Sequence, residues 1–342
     1  MTNPERTLRT GGVTPSTRNI LPEGPTQNEM SFHWIGRDLP ADAGLIRITP
    51  ECLAEIRWLS RELETNPLPT EALSPDDFDL PECLSMMQRA YRLAADELGF
   101  ALIDRLPLDS VHRETAVKIY WLLASMISRP VAQSWQGALI YDVADLTKKK
   151  PGAGIRADVT SAEQNFHTDN SYNVMPPDFV GLFCRQTAKS GGISRIVSFE
   201  TARARMAERH GDLLPRLYEP FLFDRQREHA LDDQQWIANP VFSGRGGRLS
   251  ARLSAHLIRK GYELAGEKID APGNAALNAL TAILDEEELY KEFFFEPGQI
   301  QLVNNQRIGH KRTAFEDWPE PDRRRHLVRI WLRQDGRRFY NG

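Results

Sequence analysis

Over the first 130 positions apolar residues recur at helical spacing, and beyond them they occur in short isolated runs. Pro50 opens a predicted helix over 50–63, preceded by an alternating Ile46-Arg-Ile-Thr segment that reads as a short strand. Leu84, Met87, Tyr91 and Ala94 set a helical period over 81–98, and another helix is predicted over 113–128. Between these two, residues 99–107 read as a buried strand ending in a turn. After residue 130, apolar runs at 137–143, 179–187, 193–198, 239–243, 249–253, 293–295, 299–303 and 326–332 are separated by turn residues. Helical patterns interrupt this series at 199–209 and 274–284.

Many short strands without regular strand–helix alternation predict a barrel or jelly roll and an α+β fold. No internal repeat or low-complexity linker divides the chain. Residues 1–40 carry Pro4, Pro15, Pro22 and Pro25 among polar neighbours and read as a mobile N-terminal arm. Residues 41–342 read as one domain with helical insertions.

Composition narrows the function classes. The 342 residues hold 43 Lys+Arg against 47 Asp+Glu, a formal charge of −4 that gives no electrostatic footprint for nucleic acid. No apolar run approaches the ~20 residues needed to span a bilayer. The opening Met-Thr-Asn-Pro-Glu-Arg lacks a secretory core, so a cytoplasmic protein acting on a small molecule is expected, with homo-oligomerisation left open. Cys52, Cys83 and Cys184 are too few and too widely spaced for a disulfide framework or a thiolate zinc site. Metal chemistry would therefore use nitrogen and oxygen ligands.

His-x-Asp/Glu pairs are common, and chance supplies about one in a chain of this composition. Three occur here: His112-Arg-Glu114, His167-Thr-Asp169 and His210-Gly-Asp212. The first and last sit at predicted helix ends, where such residues complement the helix dipole. His167 instead precedes a loop leading into a buried strand. A distant partner is His310, read as presented by a loop after strand 299–303. Two histidines and a carboxylate form a facial triad suited to non-haem Fe(II), although zinc accepts the same donors.

The blocks His167-Thr-Asp-Asn-Ser-Tyr172, Pro176-Pro-Asp-Phe-Val180, Ala188-Lys-Ser-Gly-Gly-Ile-Ser194, His310-Lys-Arg-Thr-Ala-Phe315 and Arg325-His-Leu-Val-Arg329 occur in an order that resembles the TauD/TfdA family. These are taurine-dioxygenase-like Fe(II)/2-oxoglutarate oxygenases. The likeness runs from about residue 99 onward. It implies a double-stranded β-helix (jelly-roll) core with flanking helices, His167, Asp169 and His310 as iron ligands, and O2 and 2-oxoglutarate as co-substrates. It also implies that Ser194 and Arg325 bind 2-oxoglutarate and that Arg329 meets an acidic group of the substrate. Arg325 lies slightly farther after His310 than the family's usual gap. Glu163, four residues before His167, is a candidate for a substrate ammonium group. The implied reaction is hydroxylation of an amino-acid-like or betaine-like molecule with release of succinate and CO2. Desaturation, epoxidation or cyclisation would use the same triad; a jelly-roll metal hydrolase would not need Ser194 and Arg325, and a noncatalytic binding protein of the same fold would bind metal and co-substrate without producing succinate. Phe166, Tyr172, residues 293–295 and Trp331 read as core or barrel wall.

Overall fold

The computed structural model describes residues 32–145, 159–245 and 248–342. Two sheets carry the fold. The larger has strands in the order Leu45–Ile46, Phe100–Ile103, Ile300–Asn304, Phe179–Gln186, His326–Arg333 and Arg129–Val131, with Tyr141–Val143 also pairing with His326–Arg333. The smaller runs Tyr290–Phe293, Ser194–Ser198, Ile308–Arg312 and Gln164–His167. Every pairing in both is antiparallel except Leu45–Ile46 with Phe100–Ile103. The result is a mixed fold of sheets and helices.

The central strands are covered on both faces, which is why they appear in the sequence as unbroken apolar runs. Side chains alternate along a strand. Phe179, Phe183, Ile300, Leu302, Val328, Ile330 and Leu332 turn to one side and pack with helices Pro50–Thr65, Pro81–Arg92 and Arg113–Ile127. Val180, Val303 and Trp331 turn the other way, into a core shared with Phe166, Ile196, Val197, Phe293 and Ile308 of the smaller sheet. Each such fully buried aliphatic or aromatic side chain contributes about 1.5–3 kcal/mol.

The helix signals act as predicted. Pro50 occupies the first turn, and the Thr49 hydroxyl accepts from the Cys52 N–H at 3.1 Å. Over 81–98 an α-helix to Arg92 passes into a π-turn, Leu93–Glu97. Its buried stripe is Cys83, Met86, Met87 and Ala90, whereas Leu84 is exposed, so one of the four periodic positions points outward.

Two further expectations change, and one helix adds to them. Residues 1–31 lie outside the described residues, but 32–40 are packed against the body rather than forming an arm. Phe32 and Trp34 are buried, the Trp34 indole donates to the Leu98 carbonyl at 2.8 Å, and the Phe32 carbonyl accepts from Ser198. Apolar burial here outweighs the polar, proline-rich text before it. Phe294 is 70% exposed because strand alternation buries Phe293 and turns its neighbour outward. Helix Ala255–Ala265, which no periodic reading picked out, is capped by Ser254 and packs on strand Pro220–Asp224.

Candidate metal centre

Three strands and one turn bring the polar cluster together. His167 is the last residue of Gln164–His167, and Asp169 follows in the turn, where Asn170 adopts φ 55°. His310 sits inside strand Ile308–Arg312 rather than on a loop, because this segment pairs along its whole length with Ser194–Ser198. Direct cross-strand pairing places His310 opposite His167, with ring centroids 4.3 Å apart. One donor atom from each of His167, Asp169 and His310 falls within 4.8 Å of the others. Two histidines some 140 residues apart thus converge on one carboxylate.

Asp169 is held from several directions. Its Oδ1 lies 3.5 Å from His167 Nε2 and 3.3 Å from His310 Nε2. Its Oδ2 accepts from the Trp331 indole at 2.6 Å and pairs with Arg329 Nη1 at 3.1 Å. Its backbone is clamped by Asn305, whose Oδ1 accepts from the Asp169 N–H at 2.8 Å and whose Nδ2 donates to the Asp169 carbonyl at 2.9 Å. Burial opposes ionisation of Asp169, but Arg329 and the hydrogen bonds with both imidazoles hold its carboxyl well below the usual range. Burial, then the neighbouring His167 ring, pushes His310 below its ordinary 6.5, leaving a neutral ring at pH 7. A neutral imidazole is the form that binds a metal.

The cleft beside these residues opens to solvent and is lined by Ser194, Arg325, Leu327 and Arg329 together with apolar Val143, Val180, Leu182 and Phe295. Ser194 Oγ donates to Gln301 Oε1 at 3.2 Å. Arg325 is buried, its backbone N–H donates to Asp317 Oδ1 at 2.7 Å, and its guanidinium lies over the Phe315 ring. Burial pushes Arg325 down to about 10. Among the described residues its Nη1 is buried with no hydrogen-bond partner. Gly192, at φ +68°, lets the chain pass against this side chain: a Cβ there would lie 3.1 Å from Arg325 Nε.

Of the two expected substrate contacts, Glu163 is placed differently. Arg329 reaches the cleft as its strand position requires, and its guanidinium pairs there with Asp169. Glu163 is not among the residues lining the cleft. It is about half exposed and pairs with Lys311 Nζ at 2.9 Å. The cause is a bulge: His310 faces His167 while Arg312 faces Gln164, so four residues of Gln164–His167 span three of Ile308–Arg312. The extra residue puts Gln164 on the cleft side and turns Glu163 away. Trp331 and Asn305 touch Asp169 directly and were not singled out as functional. Trp331's position two residues from Arg329 on one strand face was the available signal.

A family model described as "Taurine catabolism dioxygenase TauD, TfdA family" matches residues 64–331. FR-33289 synthase of Streptomyces rubellomurinus is 24% identical over 274 residues, covering 77% of this chain and 79% of the relative. Taurine hydroxylase-like protein SAT17 of Stachybotrys chartarum is 24% identical over 326 residues, covering 90% and 79%. Among solved structures, asparagine oxygenase in complex with Fe(II), 2S,3S-3-hydroxyasparagine and succinate superposes with a TM-score of 0.62 at 19% identity, over 85% of this chain and 94% of that one. At that identity the superposition speaks to the fold. With a match spanning most of its length, the chain belongs to the TauD/TfdA family.

Proposed function

We infer that the protein is a non-haem Fe(II)/2-oxoglutarate-dependent oxygenase that hydroxylates an unactivated C–H of a small polar, amino-acid-like or betaine-like molecule. The observation that carries this reading is the convergence of His167, Asp169 and His310 in one cleft with a buried Arg325 whose Nη1 is unpartnered among the described residues. The donor set suits ferrous iron, since two imidazoles and one carboxylate occupy three positions and leave others open. The orphaned guanidinium nitrogen suits a carboxylate, because burying an unpaired donor is costly and a planar fork binds a carboxylate through charge-assisted hydrogen bonds. Fe(II), 2-oxoglutarate and O2 bound there supply oxidation of a C–H bond, with release of succinate and CO2.

The chain's own groups hold and orient. His167, Asp169 and His310 are the proposed ligands. Arg325 would receive the distal carboxylate of 2-oxoglutarate and Ser194 Oγ would hydrogen-bond to it, with Gln301 fixing the direction of that hydroxyl. Val143, Leu182, Phe295 and Leu327 form the apolar lining that excludes water. Gln164, Lys311 and Arg312 are the remaining polar residues that line the cleft. The amino-acid-like substrate class draws support from the related fold of an asparagine oxygenase. We also read the two sheets as a double-stranded β-helix and residues 41–342 as one oxygenase domain.

The test is anaerobic loading with Fe(II) and 2-oxoglutarate, followed by succinate measurement under air with a panel of amino acids and betaines. The wild type should release succinate, at a rate that one member of the panel stimulates. Asp169→Ala should abolish this release, and Arg325→Met should raise the KM for 2-oxoglutarate at least tenfold. Succinate release unchanged by Asp169→Ala would overturn the reading.

A further inference from the structure

Resting on the assignment of the triad as a metal site, we propose that Arg329 and Trp331 are positioning residues that hold Oδ2 of Asp169 away from the metal, and that Arg329 is not the group that receives a substrate anion. A carboxylate can bind a cation through one oxygen or two. Only the first mode leaves three positions open for co-substrates at a facial triad. Here the two oxygens of Asp169 have different surroundings. Oδ1 lies 3.5 and 3.3 Å from the two imidazole Nε2 atoms. Oδ2 accepts the Trp331 indole N–H at 2.6 Å and meets Arg329 Nη1 at 3.1 Å. Rotating Oδ2 toward a metal would break both interactions inside a buried site, where each lost partner leaves a group unsatisfied.

Arg329 is committed on all sides. Its Nε donates to Gln133 Oε1 at 2.9 Å. Gln133 Nε2 donates back to the Arg329 carbonyl at 2.8 Å and to the Leu139 carbonyl at 2.9 Å. The guanidinium lies 4.8 Å from the centroid of Tyr141 and 5.0 Å from that of Trp331. Turning it toward a substrate anion would strip Asp169 of its cation and break the Gln133 pairing. The strand supplies the geometry: Arg329 and Trp331 are two residues apart, so both project toward Asp169 from one face of a strand paired on both sides. Asn305 completes the restraint by holding the Asp169 backbone, which limits how far the carboxylate can swing. Groups that orient a metal ligand in this way typically change affinity or activity about 10–100-fold when removed.

The experiment measures Fe(II) affinity anaerobically, by competition with a chromophoric chelator in the absence of 2-oxoglutarate, for the wild type, Trp331→Phe, Arg329→Met and Arg329→Lys. Trp331→Phe keeps the packed ring and removes only the N–H, so it carries the test even if Arg329→Met fails to fold. The expected result is Fe(II) binding about 10–100-fold weaker in Trp331→Phe. Arg329→Lys should recover part of the loss in Arg329→Met, and at saturating iron the KM for 2-oxoglutarate should stay within about threefold of wild type in all folded variants. A merely structural defect would raise that KM in parallel. Fe(II) affinity unchanged in Trp331→Phe, or a parallel rise of both quantities, would overturn the proposal. A wild type that binds Fe(II) but yields no 2-oxoglutarate-dependent succinate would overturn the oxygenase reading alone, and one that binds no Fe(II) would overturn both.

Discussion

A histidine buried against a second imidazole is a poor proton acceptor, and that fixes how the metal-free protein answers to acid. His310 titrates below 6.5 when folded and near 6.5 when unfolded. Between those values the unfolded chain binds more protons, so its contribution to stability is complete above about 6.5 and is lost as pH falls through the folded value. Asp169, also depressed, adds a second loss below the ordinary carboxylate value of 3.8. Chelator-treated protein should therefore lose urea resistance from about pH 6.5 downward. His310→Asn should flatten the upper part of that slope, and a variant as acid-sensitive as the wild type between pH 6.5 and 5 would refute the assignment. The residues legible in the sequence were those whose chemistry is local. His167 and Asp169 stand out from two similar pairs by the loop and block that follow them, and His310 by the block after it, whereas Trp331 and Asn305 matter only through contacts with a residue more than 130 positions away. Glu163 failed for a related reason, since a bulge decides which side of a strand a residue faces and bulges leave little trace in the text.

At the level of elements, the loop after Asp169 is held by the end of the chain. The Tyr340 hydroxyl donates to Asn170 Oδ1 at 3.0 Å and shares a hydrogen bond with the Tyr172 hydroxyl at 2.9 Å. Asn173 Nδ2 donates to the Tyr340 carbonyl at 2.9 Å. Arg333 bridges the two segments by donating to the carbonyls of Met175 on one side and Phe339 on the other. Tyr340→Phe keeps the ring and removes these hydroxyl bonds, which should cost about 1–2 kcal/mol in the apo protein. In a double-mutant cycle with Asn170→Ala, measured by urea unfolding, the two changes should couple by about 0.5–3 kcal/mol, and strict additivity would show that Tyr340 does not act through Asn170. None of this was readable beforehand, because the tail has no periodic pattern and its role depends on tertiary hydrogen bonds. Helix Ala255–Ala265 was hidden differently. Gly261 lowers helical propensity in the middle of its apolar positions, yet that small residue stands where the backbone of Leu222 comes close.

Across the whole molecule, the larger sheet separates two jobs. Odd positions of Phe179–Gln186 face the helices and even positions face the cleft: Phe179 and Phe183 belong to the helical core, whereas Val180 and Leu182 line the site. On His326–Arg333 the parity is reversed, with Val328, Ile330 and Leu332 toward the helices and Leu327 and Arg329 toward the cleft. Stability on one side and chemistry on the other can then be perturbed independently. Gly181 is the sharpest place to test this, because an added Cβ would lie 2.5 Å from the Tyr120 hydroxyl on helix Arg113–Ile127, inside the buried helical core. Gly181→Ala should destabilise the protein by about 1–3 kcal/mol through overpacking. Fe(II) affinity and the KM for 2-oxoglutarate should not change, since the new methyl group points away from the cleft. Leu182→Ala, one residue on, removes a half-buried side chain from the cleft wall and should reverse the ranking, changing 2-oxoglutarate turnover more than the unfolding midpoint. If Gly181→Ala weakened Fe(II) binding as strongly as it lowered the melting temperature, the sheet would not be acting as a partition, and helical packing would have to be counted among the determinants of the site.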